Sequence, residues 1–406
     1  MPAEHRSRTI LRFLAIGCVS LMLASCLGGT DRGTAGGGFS APTGTVTSQP
    51  LDAIDGGQPQ QTQGAQAKAV LILPLSASGG AGAAARSMKN AGEMALSEFK
   101  GTSLQLVVKD DLGTPQGAAQ AAQEAVSEGA QIILGPLFAQ GVAAAGQVAK
   151  QSNIPVLAFS TDASAAASGV YLLSFLPQSD VERIVSYSVK NGKRSFAAIL
   201  PEDAYGSVVE GAFQEAVARN GGRVVGLERY KAGDQGAMKA AVSRIAQSAS
   251  GIDAILVPDQ APAIAGMLQS SGVDLKRITL LGTGVWDDPQ TLNSPALAGG
   301  LYAGPDSAGW ANFSQRYQAR FGEAPVRTAT LAYDAVLLAA ALTQAQGVAG
   351  LGTQALTASS GFKGIDGIFR LKPTGLNDRG LAVMKVQPGG AQVVSPAQGS
   401  FSVAGL

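Results

Sequence analysis

Six short polar or aromatic stretches carry the side chains best suited to holding a small molecule: Ser76 and Ser78, Phe138-Ala139-Gln140, Ser160-Thr161, Tyr205, Thr283 and Trp286. Each follows an apolar run of strand type. In a parallel α/β architecture the strand exits are where ligand sites form. The chemistry on offer is recognition: hydroxyls, an amide and backbone N–H groups for polar atoms, aromatic rings as walls. Reaction chemistry is thin. The only histidine is His5, and the two cysteines are Cys18 and Cys26, all near the N-terminus. The remainder of the chain therefore cannot build a Ser-His-Asp triad, a Cys-His pair or a thiolate and imidazole zinc site. We expect a protein that is not an enzyme and carries no cofactor or metal.

Three further spellings have simpler explanations than chemistry. Gly80-Ala-Gly82-Ala-Ala-Ala85 follows a strand and opens a helix like a dinucleotide loop, but no acid stands at a second strand end about 20 residues on. Close helix packing accounts for it. Ser97-Glu-Phe-Lys100 and Ser360-Gly-Phe-Lys363 lack the other elements of an acyl-transfer site. The acidic pairs Asp110-Asp111, Glu202-Asp203 and Asp287-Asp288 read as turn or cap residues, with Asp203 and Asp287 kept as cleft candidates.

The elements that must position these groups alternate in a regular way. Lys68–Leu75 is a near-continuous apolar run, as expected of a strand buried on both faces, and Ala83–Phe99 is apolar at helical spacing. Leu104–Val108 and Gln116–Ser127 repeat the pair. Residues 131–162 then give strand, loop, helix and strand, with Gly135-Pro136 and Pro155 as breakers. A further strand, 170–175, and a helix, 178–190, complete the series. A second series begins at Ser195–Leu200, with a loop at Pro201–Gly206, a helix over 207–220 and strands at 224–227, 254–257 and 278–281. Thr328–Gln344 is the clearest helix, with a stripe of Leu331, Ala335, Leu338 and Leu342 and Asp334 near its start. Two βα series predict an α/β protein of two lobes with parallel sheets.

The 406-residue length also calls for two cores, and a hydrophobic content of 46% supplies them. The formal charge is +1. Without Arg6, Arg8, Arg12 and Glu4 the balance becomes 27 basic to 28 acidic residues, with no basic stripe, so nucleic acid is not an expected partner. Those three arginines precede an apolar run, Phe13–Ala24, shorter than the roughly 20 residues needed to cross a bilayer. Residues 1–25 therefore read as an export signal. Leu23-Ala24-Ser25-Cys26 resembles the bacterial lipobox, which makes Cys26 the expected lipidation site and membrane anchor. Residues 26–67 read as the lipidated cysteine and a disordered tether spanning about 35 Å.

At Gly135-Pro136-Leu137 with Ile154-Pro155-Val156-Leu157, at Pro201–Gly206 (PEDAYG), at Tyr333-Asp334-Ala335-Val336 and at Gly361–Gly367 (GFKGIDG), the sequence resembles the leucine-binding family of type I periplasmic binding proteins. The resemblance covers about Lys68 to Val394. It implies two Rossmann-like lobes joined by three crossovers around a hinged cleft. Lobe 1 would comprise 68–176 and about 301–347, lobe 2 would comprise 177–300 and about 348–394, and 395–406 would be a tail. In that family the loops at Phe138-Ala139-Gln140 and Ser160-Thr161-Asp162 would hold an amino-acid carboxylate, and Tyr205 matches an aromatic position of the second lobe. Ala139 stands where a serine is common, which turns the expectation away from an ordinary amino acid.

Together with the lipobox and tether, Leu73-Pro-Leu-Ser76, Ala158-Phe-Ser-Thr-Asp162 and Glu202-Asp-Ala-Tyr-Gly206 look most like the lipoprotein branch of penicillin-binding protein activators. The resemblance thus implies a periplasm-facing lipoprotein, lipid-anchored to a membrane, the outer in preference to the inner, whose partner is a penicillin-binding protein. The alternative it leaves open is a solute-binding lipoprotein that delivers an amino acid or related small molecule to an ABC permease.

Overall fold

The computed structural model describes residues 66–402, together with the strand residues 45–47 and 49–50. The expected export signal, the lipidation site at Cys26 and most of the expected tether lie outside the described residues. Within that tether, Thr45–Thr47 (β1) pairs with the C-terminal strand and Gln49–Pro50 (β2) adds to a sheet edge. These segments therefore take strand partners where a free coil was expected.

The first lobe is built on Ala67–Leu73 (β3), Gly79–Glu98 (α1), Leu104–Asp110 (β4), Pro115–Ser127 (α2), Ile132–Leu134 (β5), Ala139–Gln151 (α3), Val156–Ala158 (β6) and Val170–Leu172 (β7). Its five strands run parallel in the order β4-β3-β5-β6-β7. The apolar run of β3 is explained by two covered faces: Ala69, Leu71 and Leu73 enter one core, Val70 and Ile72 the other. Each fully buried aliphatic side chain contributes about 1.5–3 kcal/mol. Strand periodicity is hidden because neither face meets water.

Pro177–Lys190 (α4) carries the chain into the second lobe. There Ser195–Pro201 (β8), Ala204–Arg219 (α5), Arg223–Tyr230 (β9), Gln235–Gln247 (α6), Ala254–Leu256 (β10), Ala261–Ser270 (α7), Thr279–Gly282 (β11), Pro289–Leu292 (α8) and Leu301–Gly304 (β12) follow in order. The chain returns through Ser307–Phe321 (α9), Ala329–Gln346 (α10), Thr353–Leu356 (α11), Phe362–Gly364 (β13), Gly367–Leu371 (β14) and Asn377–Arg379 (β15). It ends with Ala382–Gln387 (β16), Gly390–Ser395 (β17) and Ser400–Ser402 (β18). The second sheet has the order β17-β16-β12-β11-β10-β8-β9, with β16 and β17 antiparallel to their neighbours.

Two stretches sit in the lobe opposite to the one expected. β12, expected in lobe 1, pairs with β11 and β16 in the second sheet, and its Tyr302 packs on Trp286 at 6.3 Å. Residues 362–379, expected in lobe 2, bring Phe362, Phe369 and Leu371 into the core of lobe 1. The chain thus crosses near 174–177, 304–307 and 379–382. A crossing falls where the next buried side chains find their core, which chain order alone does not reveal. The expected tail also contributes strand structure, since β17 ends at Ser395 and β18 pairs with β1.

α10 is buried all round and not along one stripe. It lies between α1 and the first sheet, and a helix covered on every side is apolar on every side. Asp334, read as a helix-start carboxylate, is instead wholly buried and accepts the Ile365 N–H at 3.0 Å. A Cβ at Gly364 would stand 2.2 Å from that carboxylate, so the approach requires glycine.

Candidate functional site

In this fold the carboxyl ends of both sheets border the cleft. On lobe 1, Ser76 donates to the Asp110 carboxylate. Desolvation opposes ionisation there, but this bond and the Leu112 N–H hold the Asp110 carboxyl below its usual value. Ser78 precedes α1 and Phe138 precedes α3, and neither side chain caps its helix. The first N–H groups of both helices are therefore left to a ligand or water, where the helix dipole favours an anion. Phe138, Ala139 and Gln140 line a pocket of about 250 Å³ with Asp111 and Thr114. Ser160 is buried, its Oγ accepting the Asp162 N–H at 3.1 Å, while Thr161 is exposed beside it.

On lobe 2, Tyr205 after β8 and Thr283 after β11 meet at 2.8 Å between their hydroxyl oxygens. Burial raises the Tyr205 phenol, with the charges of Asp180, Asp259 and Asp203 adding to it. Tyr230, the last residue of β9, donates to Asp259 after β10 at 3.3 Å. The carboxylates of Asp203 and Asp259, with the two phenols beside them, thus form a local negative cluster, suited to a cationic group. Asp259 also lines a pocket of about 400 Å³ with Gln260, Val285 and Asp288.

The structure brings Tyr205 together with Thr283, and Phe138 with Ala139 and Gln140, as expected of neighbouring exits. Trp286 is corrected. Its side chain borders the lobe 2 pocket only from beneath, being 1% exposed, and its Nε1 donates to the Val257 carbonyl at 2.9 Å. A Cβ at Gly282 would lie 2.2 Å from the indole, so the ring is seated directly on the backbone. It is a core anchor beneath the exit loop. Asp287 is occupied by the Tyr302 hydroxyl at 3.0 Å. Its neighbour Asp288 caps α8, and Asp203 of the Glu202-Asp203 pair caps α5, as read from the sequence.

Tyr230 and Asp259 were not expected. Tyr230 ends a strand half of whose residues are exposed, and Asp259 follows Val257-Pro258 with no motif around it. The usable signal is position alone: both are polar residues at strand exits.

Between the lobes, Arg379 donates from Nε to the Ser174 carbonyl at 2.9 Å, linking the first and third crossovers. Phe175 is stacked between Arg327 at 4.9 Å and Arg379 at 4.8 Å. Asp180 at the start of α4 accepts the Gly284 N–H at 2.9 Å. Burial pushes Asp180 up to about 7, and burial with the neighbouring Asp366 pushes Asp334 to about 7.

The unfolded Asp334 carboxyl ionises near 3.8, so between that value and about pH 7 ionisation favours the unfolded chain. Its contribution to stability is full below the lower value and is lost as pH rises through the upper. Asp334→Asn should therefore gain on the wild type by on the order of 2–4 kcal/mol as pH rises across that window. Urea midpoints measured as a pH series read this directly. A gap that stays constant with pH would contradict the assignment.

The sequence matches the family described as periplasmic binding protein over residues 67–391. No curated relative matches the chain. Among solved structures, a branched-chain amino acid ABC transporter protein from Rhodospirillum rubrum is similar at 20% identity, covering 81% of this chain and 100% of that one, with a TM-score of 0.71. The leucine binding protein LivK from Thermotoga maritima is similar at 20% identity, covering 82% and 99%, with a TM-score of 0.60. A solute binding protein from Rhodopseudomonas palustris, in complex with 3,4-dihydroxybenzoic acid, is similar at 21% identity, covering 83% and 97%, with a TM-score of 0.60. At such identities the likeness establishes the two-lobed fold.

Proposed function

The chain belongs to the periplasmic binding protein family, and from that membership and its two half-sites we infer that it is an extracytoplasmic solute-binding protein for an apolar amino acid or a close analogue. The carrying observation is the contrast in polarity between the strand exits of the two lobes. Lobe 1 offers uncapped helix N-termini at α1 and α3, which suit a carboxylate, and lobe 2 offers Asp203, Tyr205, Tyr230 and Asp259, which suit an ammonium. Phe138, Leu112 and Val285 are large apolar residues exposed in the same strand-exit loops. They favour a ligand whose third part is apolar.

Ala139 does not defeat this reading. It lacks the hydroxyl that would serve a carboxylate, but it is the first residue of α3, and its N–H belongs to a turn with no side-chain cap. Closure of the lobes about the three crossovers would bring the two half-sites onto one ligand. An ABC permease is then the proposed recipient, and a lipid on Cys26 the proposed anchor at the membrane.

The activator reading gains nothing from the comparisons, whose solved neighbours are described as transport or solute-binding proteins. The transport alternative takes its place. A thermal-shift panel on the full chain tests it, because a ligand that binds only the folded state raises its stability. Leucine and other apolar amino acids should raise the melting temperature. No shift with any amino acid would remove the reading.

A further inference from the structure

A further cavity, of about 680 Å³, shares no lining residue with the two strand-exit pockets and has walls from both lobes: α4 and α5 on one side, β14, β15 and the segment between them on the other. Six cations and three acids line it. The acids are matched locally. Arg219 pairs with Glu182 at 3.4 Å and Glu215 at 2.6 Å, while Arg370 and Lys372 share Asp378, each at 2.9 Å.

The other three cations have no acid within ion-pair distance among the described residues. Arg183 donates only to neutral groups: the Leu381 carbonyl at 2.8 Å, the Ser395 hydroxyl at 2.7 Å and the Pro396 carbonyl at 3.4 Å. Lys190 is exposed at the end of α4. Arg379 is 8% exposed, and both of its terminal nitrogens lack hydrogen-bond partners. Those nitrogens lie beneath the cavity wall, so Arg379 acts on the space through its charge. The charge of Arg379 is partly offset by Asp366, Asp334 and Asp180 behind the wall, but the lining carries six cations against three acids, and an excess of positive charge in a partly enclosed space concentrates anions.

We propose that this cavity is a second binding site, for a small multivalent oxyanion of the polycarboxylate or phosphate type, held by Arg183 and Lys190 with the charge of Arg379 behind the wall, and distinct from the strand-exit site. Its size admits a ligand of several oxygens, and its cationic side chains reach it from both lobes. The proposal does not depend on what the cleft binds. Carboxylate and phosphate share the chemistry required, so the probes must separate them.

Calorimetric titration of the full chain with citrate, with inorganic phosphate and with glycerol phosphate tests it at low ionic strength. At least one probe should bind with a stoichiometry of one, and its affinity should fall by about tenfold in Lys190→Glu, a charge reversal at the cavity rim. Because Lys190 is exposed, this variant leaves the core intact, and its unfolding midpoint checks that. Arg183→Gln provides a second reading from inside the cavity. Preference for citrate assigns a carboxylate site, preference for inorganic phosphate a free-phosphate site, and preference for glycerol phosphate a headgroup site. No binding by any probe, or equal binding by wild type and both variants, would overturn the proposal.

Discussion

Replacing Trp286 with alanine is expected to cost about 3–5 kcal/mol of folding stability, the range for removing a fully buried large aromatic side chain. The indole is 1% exposed, packs on Gly282, Gly300 and Tyr302, and satisfies the buried Val257 carbonyl. Alanine leaves both a void and an acceptor without a donor, and the two penalties add. Trp286→Phe separates them: the ring largely refills the space, so its smaller loss, about 1–3 kcal/mol, reports mainly the missing Nε1 bond. Chemical denaturation of both variants provides the measurement. A loss below about 1 kcal/mol in the alanine variant would mean that the ring is not a core anchor.

The second large effect falls on binding. Asp259→Asn is expected to weaken an amino acid by about 30-fold, close to 2 kcal/mol, because it removes the negative charge opposite the ligand ammonium and retains an acceptor for Tyr230. A carboxylic acid of the same skeleton without its amino group should bind the variant and the wild type alike. Titration of each ligand against each protein separates loss of the ammonium contact from general damage. Equal weakening for both ligands would place Asp259 in a supporting role only.

What could be read before folding, and what could not, follows from the kind of information a residue carries. β3, β5 and β6 were legible because a strand buried on both faces is apolar throughout, and their exits because polar atoms begin where the run stops. The cap roles of Asp203 and Asp288 were legible because capping is local. Trp286 misled because an aromatic residue in a loop carries no mark of which way it turns. Its floor, Gly282 and Gly300, becomes visible only in three dimensions. β12 and residues 362–379 were placed in the wrong lobes because their partners are distant in the chain: Leu301 lies opposite Lys385, and Phe362 and Phe369 pack in a core dominated by residues far earlier in the chain. Ala139 was judged by its missing side chain, whereas its contribution lies in a main-chain N–H that only the position of a helix start exposes. Tyr230 and Asp259 escaped because nothing in their local sequence separates them from other polar residues at strand ends.

The half-site account rests on the joint requirement for a carboxylate and an ammonium, and one calorimetric comparison addresses it directly. The full chain is titrated with leucine, with N-acetyl-leucine, which lacks the ammonium, and with leucinamide, which lacks the carboxylate. The account predicts that leucine binds at least about 30-fold more tightly than either derivative, since each loses one charged partner worth about 2 kcal/mol. Comparable affinity for all three, or no heat from leucine at concentrations where other apolar amino acids are also silent, would contradict it.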